Sequence, residues 1–324
     1  MSVQPTIAIL GGGVAGMSCA LWLKNLGFKP IILEKNTCLG GQLTTLPTIN
    51  RWVLGFSEHT SQQLAAAYTK HIQSTDISVY YSYQLLAIQQ NSHGFQLVIQ
   101  KNTLSCETFS IKALIIATGA RPVGYEVIEN IEGFTPELIS NRVFFLPTDH
   151  LEQLPHLSTK TIAILGGGDN AHYTAKDIAT RADKIHLIMR SSAIAQTLIR
   201  NDIITLIQEN KLIEHSHSTI TSMYAEQNKI GLALTQSPSL RQTLSVDKIF
   251  IRCGFKANTE FLQNSELLKR VATNQNYILT DHVKRTNIPG IYAIGDVTNS
   301  NDPSVVNALA EGALAARDLS QHLN

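Results

Sequence analysis

The sequence predicts an α/β fold with two Rossmann-like nucleotide-binding domains, one of them discontinuous and of three-layer ββα type. Two observations carry this. The octapeptide TIAILGGG occurs twice, at Thr6–Gly13 and at Thr161–Gly168. The same offset then holds without a gap, so that Lys29–Lys35 (KPIILEK) falls opposite Lys184–Arg190 (KIHLIMR). Each copy reads as a buried strand, a glycine turn, a helix and a second strand, which is the plan of a dinucleotide-binding half.

The first unit opens the chain. Gly11, Gly13 and Gly16 fit GxGxxG between the apolar run Ile7–Leu10 and the helical pattern from Met17 to Leu23. The first glycine permits a tight turn, the second lets backbone approach a pyrophosphate, and the third allows helix to lie close on strand. The free N–H groups and dipole of the following helix favour an anion there. At the end of the second strand, about 20 residues on, Glu34 can accept from both hydroxyls of an adenosine ribose. Next, Cys38–Leu43 (CLGGQL) reads as a glycine-bearing loop and Ser61–Gln73 as an amphipathic helix. From Val79 to Ile116 several short alternating or apolar runs predict a small β-meander that returns to the main sheet. Thr118–Pro122 (TGARP) breaks the chain after a strand.

The second unit carries GxGxxA, at Gly166, Gly168 and Ala171, so its pyrophosphate-facing glycines remain. Met189 replaces the ribose-binding acid, and Arg190 follows it as a charged fork for a 2′-phosphate. This points to NADP(H) more than to NAD(H). Ile249–Gly254 closes the unit with another strand into glycine. Gly290–Val297 repeats that pattern, and a helix is expected from about Ser304 to His322. The simplest partition puts 1–118 and 253–324 in one domain and 119–252 in a second, inserted one.

Composition narrows the function classes. At 324 residues the chain can build two full cores; 44% of residues are apolar and only 16% charged, which predicts extensive burial. A formal net charge of +1 gives no electrostatic case for nucleic acid or an anionic membrane. The start lacks a basic n-region and no stretch approaches membrane-spanning length, so a soluble, cytoplasmic protein is expected. Cys19, Cys38, Cys106 and Cys253 form no CxxC and predict neither a disulfide framework nor a zinc site. His215 and His217 would share a face on a strand, but without a third ligand no metal is expected.

Six segments in order, GGGVAG (Gly11–Gly16), GGQL (Gly40–Leu43), IIATGARP (Ile115–Pro122), GGGDNA (Gly166–Ala171), CGFKANT (Cys253–Thr259) and IPGIYAIGDV (Ile288–Val297), resemble the low-molecular-weight thioredoxin reductase family of FAD flavoproteins. The resemblance covers nearly the whole chain. It implies that Gly11, Gly13, Gly16 and Glu34, flanked by Ala15 and Lys35, hold the ADP half of FAD. Gly41 and Gln42 would lie along the isoalloxazine, Thr118 and Gly119 beneath it, and Asp296 after Gly295 on the ribityl chain. The helix near Ser304 would aim its N-terminus at the pyrimidine edge, and Trp52 could stack on the flavin. Gly168, Asp169, Asn170 and Arg190 would serve the nicotinamide nucleotide. A homodimer is also implied.

The departures shape the functional expectation. The family's CxxC dithiol is missing from Phe144–Leu154, and the arginines of its HRRxxxR motif are replaced at Ser191 and Ala195. The pattern looks nearest to the dithiol-lacking ferredoxin or flavodoxin–NADP reductase branch, although the chain has little or no C-terminal extension. The expected enzyme is therefore an FAD-dependent NAD(P)H oxidoreductase that passes electrons to ferredoxin or flavodoxin. The alternatives are a thiol-handling flavoprotein that uses a partner's dithiol or Cys38, and a non-catalytic flavin-binding protein with an eroded nicotinamide site.

Overall fold

The computed structural model describes residues 4–46, 48–101, 105–237, 240–298 and 302–323. Its contacts divide the chain into two compact units, Met1–Arg121 with Lys256–Asn324, and Pro122–Phe255.

The first unit begins with β1 (Thr6–Leu10), α1 (Val14–Asn25) and β2 (Lys29–Glu34). Helix α2 (Ser61–Gln73) starts with a reciprocal cap: Thr60 Oγ1 accepts from the Gln63 N–H, and Gln63 Oε1 accepts from the Thr60 N–H. There follow β3 (Ser78–Tyr81), β4 (Tyr83–Asn91), β5 (Gly94–Lys101), β6 (Ser105–Ile111), β7 (Ala113–Ile116) and β8 (Ala120–Pro122). The second unit holds α3 (Pro136–Ile139), β9 (Val143–Phe144), α4 (Asp149–Gln153), β10 (Thr161–Leu165), α5 (Asp169–Ile178), β11 (Lys184–Ile188), α6 (Thr197–Gln208) and β12 (Leu212–His215). It continues through β13 (Thr219–Glu226), β14 (Lys229–Ser237), β15 (Leu240–Val246) and β16 (Lys248–Ile251). The chain then runs through β17 (Phe255–Ala257), β18 (Thr273–Asn274), β19 (Tyr277–Ile278) and β20 (Ile291–Ala293) to helix α7 (Val305–Leu323). Ser304 Oγ accepts from the Asn307 N–H at the start of α7.

Both units share one plan. In the first, a parallel sheet runs β20-β7-β1-β2-β3 and a separate antiparallel meander is β4-β5-β6. Alternation along β1 and β2 sorts the layers. Ala8, Leu10, Ile31 and Leu33 bury against meander residues such as Leu85 and Leu97, while Ile7, Ile9 and Ile32 bury against Leu23 of α1 and Ala316 of α7. This is the expected ββα sandwich. One boundary differs: the expected meander begins at Val79, but β3 pairs with β2 in the main sheet, so only β4–β6 form it.

In the second unit the parallel order is β12-β11-β10-β16-β9, beside the antiparallel set β13-β14-β15. Ile162 and Ile164 face Ala171, Ala175 and Ile178 of α5, while Ala163 and Leu165 face Met223 and Leu232. The internal repeat extends to register, Thr6 opposite Lys29 and Thr161 opposite Lys184. Both faces of these central strands are covered, which is why each is a continuous apolar run.

Helices α1 and α7 approach closely because Gly312 lies at their contact. A Cβ there would sit 2.7 Å from both the Ala15 carbonyl oxygen and the Cys19 nitrogen. Ser18 Oγ donates to the Leu309 carbonyl at 2.7 Å across the same contact. Farther along α7, buried Asp318 accepts from Arg285 Nε (2.7 Å) and from the Tyr292 hydroxyl (2.7 Å). Burial alone would raise the Asp318 carboxyl, but Arg285 and Tyr292 outweigh it and hold it below the ordinary carboxylate range.

The expected His215–His217 pair is not formed. Strand β12 ends at His215, and His217 lies beyond it, exposed and left-handed (φ +53°). Buried His215 instead meets buried His186 of β11, Nε2 to Nδ1 at 2.9 Å. Burial, then His215 and Lys184, push His186 down to about 4; burial also lowers His215, against a hydrogen bond with Gln242 that favours its charged form. In the unfolded chain both return to about 6.5, so protons favour unfolding. The stability this pair gives the fold is complete above about pH 6.5 and falls as pH drops toward 4, by on the order of 1–2 kcal/mol once residual solvent screening is allowed for. Thermal unfolding from pH 7.5 to 4.5 should show this acid slope, and His186→Phe should flatten it. An identical slope in the variant would contradict the assignment.

Candidate functional site

In the first unit, Gly11 takes a left-handed conformation (φ +105°) and donates its N–H to the Leu33 carbonyl at 2.9 Å. A Cβ on Gly11 would lie 2.3 Å from the Ala117 carbonyl oxygen, and one on Gly16 would lie 2.0 Å from the Gly11 carbonyl oxygen. Glycine is therefore required twice to bring β7, β1 and α1 together. Gly13 is different: its Cβ would meet nothing nearer than Gly41 Cα, at 3.9 Å. No side chain caps α1 and no acid lies in its first turn, so its N–H groups stay available for an anion. The open floor at Gly13 and the uncapped helix fit a pyrophosphate.

Glu34 ends β2 at 4% exposure. Its Oε2 accepts from the Gly12 N–H at 2.6 Å and its Oε1 from the Asn36 N–H at 2.7 Å. Each carboxylate oxygen keeps a lone pair for a ribose hydroxyl. The acid is thus fixed by backbone before any ligand arrives. Ala15 is buried, and Lys35 is exposed beside Glu34. Gly12 also matters, since a Cβ there would strike Leu39 Cδ2 at 2.2 Å.

A second glycine pair faces the first. The Gly40 N–H donates to the Gly12 carbonyl at 2.9 Å, and a Cβ on Gly41 would come within 3.1 Å of Gly13 Cα. Gln42 Nε2 donates to Asp296 Oδ2 at 3.1 Å and to the Ala120 carbonyl at 3.0 Å. Thr118 and Asn258 exchange bonds at 2.8 Å each, and the Asn258 N–H donates to the Gly119 carbonyl at 2.9 Å. Gly295 is left-handed (φ +73°), and its Cβ would lie 2.9 Å from Ala15 Cβ. Asp296 is pushed above the ordinary carboxylate range by burial and then by Glu311, with the Gln42 hydrogen bond opposing. Gly11, Gly13, Gly16, Glu34, Gly41, Gln42, Thr118, Gly119, Gly295 and Asp296 all belong to this unit. Trp52 does too, but the residue is 77% exposed.

The second unit repeats the turn. Gly166 (φ +139°) donates to the Ile188 carbonyl at 3.0 Å, and its Cβ would lie 2.2 Å from the Arg252 carbonyl oxygen. Gly168 has open space where a Cβ would project, and no side chain caps α5. Asp169 accepts from both the Gln196 backbone N–H and Nε2, at 2.9 Å each, and so ties the turn to the loop after β11. Asn170 and Arg190 are exposed, whereas Met189 is 2% exposed and lies against Gly167. Ala195 is buried and its N–H donates to the Gly167 carbonyl at 3.1 Å.

All four cysteines are free thiols. Burial pushes the Cys19 thiol far up, and it raises Cys253 against the opposing charge of Arg190; Cys38 and Cys106 are exposed. The segment where a dithiol would stand instead carries Asp149, bound to the buried Arg252 guanidinium at 2.6 Å. Gly12, Asn258, Lys284 and Glu311 are not anticipated by the sequence pattern. Gly12 and Asn258 do lie within two of the six resembling segments, and Glu311 is an acid on the apolar stripe of α7, a signal that could have exposed it.

Comparison with known proteins corrects the functional expectation. Residues 5–312 match the family described as pyridine nucleotide-disulphide oxidoreductase. Thioredoxin reductase of Buchnera aphidicola subsp. Schizaphis graminum is 25% identical over 333 residues, spanning 98% of this chain and 97% of that protein. A component of the alkyl hydroperoxide reductase of Staphylococcus aureus is 25% identical over 311 residues, which is 96% of this chain and 57% of that longer protein. Among solved structures, Lactococcus lactis thioredoxin reductase aligns with a TM-score of 0.80 at 22% identity over 98% of both chains. Bacillithiol disulfide reductase of Bacillus cereus aligns at 0.79 and 17% identity, over 99% of this chain and 100% of that one. These two structures establish the fold.

The ferredoxin or flavodoxin–NADP reductase branch, and with it ferredoxin or flavodoxin as acceptor, is overturned by these relatives. That expectation leans on the missing CxxC, but a missing dithiol shows only that this chain carries none; the disulfide can belong to the partner. Among the described residues no helix is long and apolar enough to cross a membrane. Two glycine turns, each with an open floor beneath an uncapped helix, match what FAD and NAD(P)H require, and the chain belongs to the pyridine nucleotide-disulphide oxidoreductase family as an FAD-dependent NAD(P)H oxidoreductase.

Proposed function

We propose that this enzyme carries two electrons from NADPH, through FAD, to a disulfide on a partner thiol protein, without a redox dithiol of its own. The observation that carries this reading is a match along nearly the whole chain to a disulfide-oxidoreductase family, by a chain whose cysteines are all free. The names of the relatives, thioredoxin reductase and alkyl hydroperoxide reductase, support a thiol protein of the thioredoxin class as partner. In balance, the hydride of NADPH and one proton cleave the partner's S–S bond to two thiols, leaving NADP⁺.

Bound FAD would supply the two-electron relay between nicotinamide and disulfide. Gly11, Gly13 and Gly16 would seat the pyrophosphate on α1, with buried Ala15 and exposed Lys35 flanking the site. Glu34 accepts from the adenosine ribose, and its fixed carboxylate avoids an ordering cost on binding. Gly41, Gln42, Thr118 and Gly119 would line the ring system, and Asp296 after Gly295 would hold the ribityl chain. In the second unit Gly168 and the α5 N-terminus seat the nicotinamide nucleotide, Asp169 and Asn170 shape the turn, and Arg190 pairs with a 2′-phosphate. Met189 is turned into the core, whereas Arg190 is exposed and would be available to that group.

Three outcomes are expected. Glu34→Ala should release FAD, seen as free flavin after gel filtration, and should lower apoprotein stability by about 1–3 kcal/mol because the buried Gly12 N–H and the part-buried Asn36 N–H lose a charged acceptor. Retained FAD in this variant would remove Glu34 from the site. Arg190→Ala should cost roughly ten- to a hundredfold in flavin reduction by NADPH and leave NADH unchanged; equal effects on both would make Arg190 a surface residue. NADPH oxidation coupled to reduction of a thioredoxin-class disulfide should persist in Cys38→Ser. Loss of that turnover with FAD still bound would assign the exchange to Cys38, and no disulfide-dependent turnover in the wild type would overturn the proposal.

A further inference from the structure

Helix α7 carries a buried carboxylate that the cofactor assignments leave unused. Glu311 is 7% exposed. Its Oε2 accepts from the Gly295 N–H at 2.5 Å, and its Oε1 accepts from Lys284 Nζ at 2.6 Å. A buried ion pair carries a desolvation cost of several kcal/mol per ion, so it is weak evidence for stability alone. What it touches is more informative.

Gly295 is the left-handed residue directly before Asp296, and there is no room for a Cβ between it and Ala15. Its N–H is held by Glu311. Asp296 is held in turn by Gln42, which also binds the Ala120 carbonyl. Lys284 is fixed at its other end, because its carbonyl accepts from the Ala293 N–H at 3.1 Å, two residues before the turn. A continuous set of bonds therefore runs from Lys284 through Glu311 and Gly295 to Asp296 and Gln42. Within it, the two acids Glu311 and Asp296 repel one another, and Lys284 is the cation bonded to the first.

We propose that Lys284 and Glu311 form a positioning pair that fixes the Gly295–Asp296 turn in the geometry that receives FAD. Neither residue touches the cofactor; both act through Asp296. The inference rests on the assignment of FAD to this unit. It predicts coupling, since a loss at Glu311 should matter only while Asp296 is present to be positioned.

The test is FAD affinity of the full chain, measured by titrating apoprotein with FAD and following flavin fluorescence, for Glu311→Gln, Lys284→Met, Asp296→Asn and their double variants. Glu311→Gln should weaken FAD by about tenfold in the wild-type background and less than about twofold alongside Asp296→Asn. Lys284→Met leaves a buried carboxylate unpaired and should weaken FAD further, and adding Glu311→Gln to it should restore part of the loss. Lys284→Arg should retain most of the affinity. Losses of Glu311→Gln and Asp296→Asn that simply multiply would overturn the proposal. So would unchanged FAD affinity in a Glu311→Gln protein whose apoprotein melts lower, since the pair would then be structural. Should Glu311→Gln not fold, the Lys284→Arg and Lys284→Met pair, each combined with Asp296→Asn, decides the same question. Failure of the wild type itself to bind FAD would instead sink the cofactor assignment.

Discussion

In both units, one glycine presses directly on a backbone carbonyl at the end of the neighbouring parallel strand. Gly11 lies against the Ala117 carbonyl and Gly166 against that of Arg252, each too close for a Cβ. This contact lies where the sheet's strand order reverses, between β1 and β7 in one unit and β10 and β16 in the other. It also brings each helix N-terminus over the carboxyl ends of the strands, where open α/β sheets bind ligands. The remaining features of each site (an uncapped helix, an open glycine floor, a residue at the end of the second strand) lie around that contact.

The units then diverge through the residue at the end of the second strand. Glu34 is buried and clamped by two backbone N–H groups, so it is a rigid acceptor for a ribose diol. At the matching place Met189 turns inward and Arg190 outward, which removes the acceptor and offers a cation. The first unit gains further rigidity from the bonds joining Lys284, Glu311, the Gly295 turn and Gln42. At the nucleotide turn of the second unit, the Asp169–Gln196 pair is exposed.

Much of this is legible in the sequence because glycine turns and apolar strands are local signals. The repeat TIAILGGG marks both units and even their strand register. Side-chain partners are less accessible, because they depend on which faces the sheet brings together. Spacing pairs His215 with His217, two residues away, but the strand ends between them and the true neighbour across the sheet is His186. Glu311 and Lys284 meet only because α7 packs back over the β20 turn. The electron acceptor escapes the sequence for a different reason. The absence of CxxC is a property of this chain alone, whereas the acceptor is decided by the chemistry of the whole reaction, partner included.

With four unpaired thiols, the flavin should be the only redox group of this chain. Anaerobic titration of the holoenzyme with dithionite, followed by flavin absorbance and thiol content, tests this directly. Complete bleaching after one two-electron equivalent per FAD, with no new thiols, is the expected result. Uptake of four electrons per FAD with two thiols appearing would reveal an internal disulfide and contradict it.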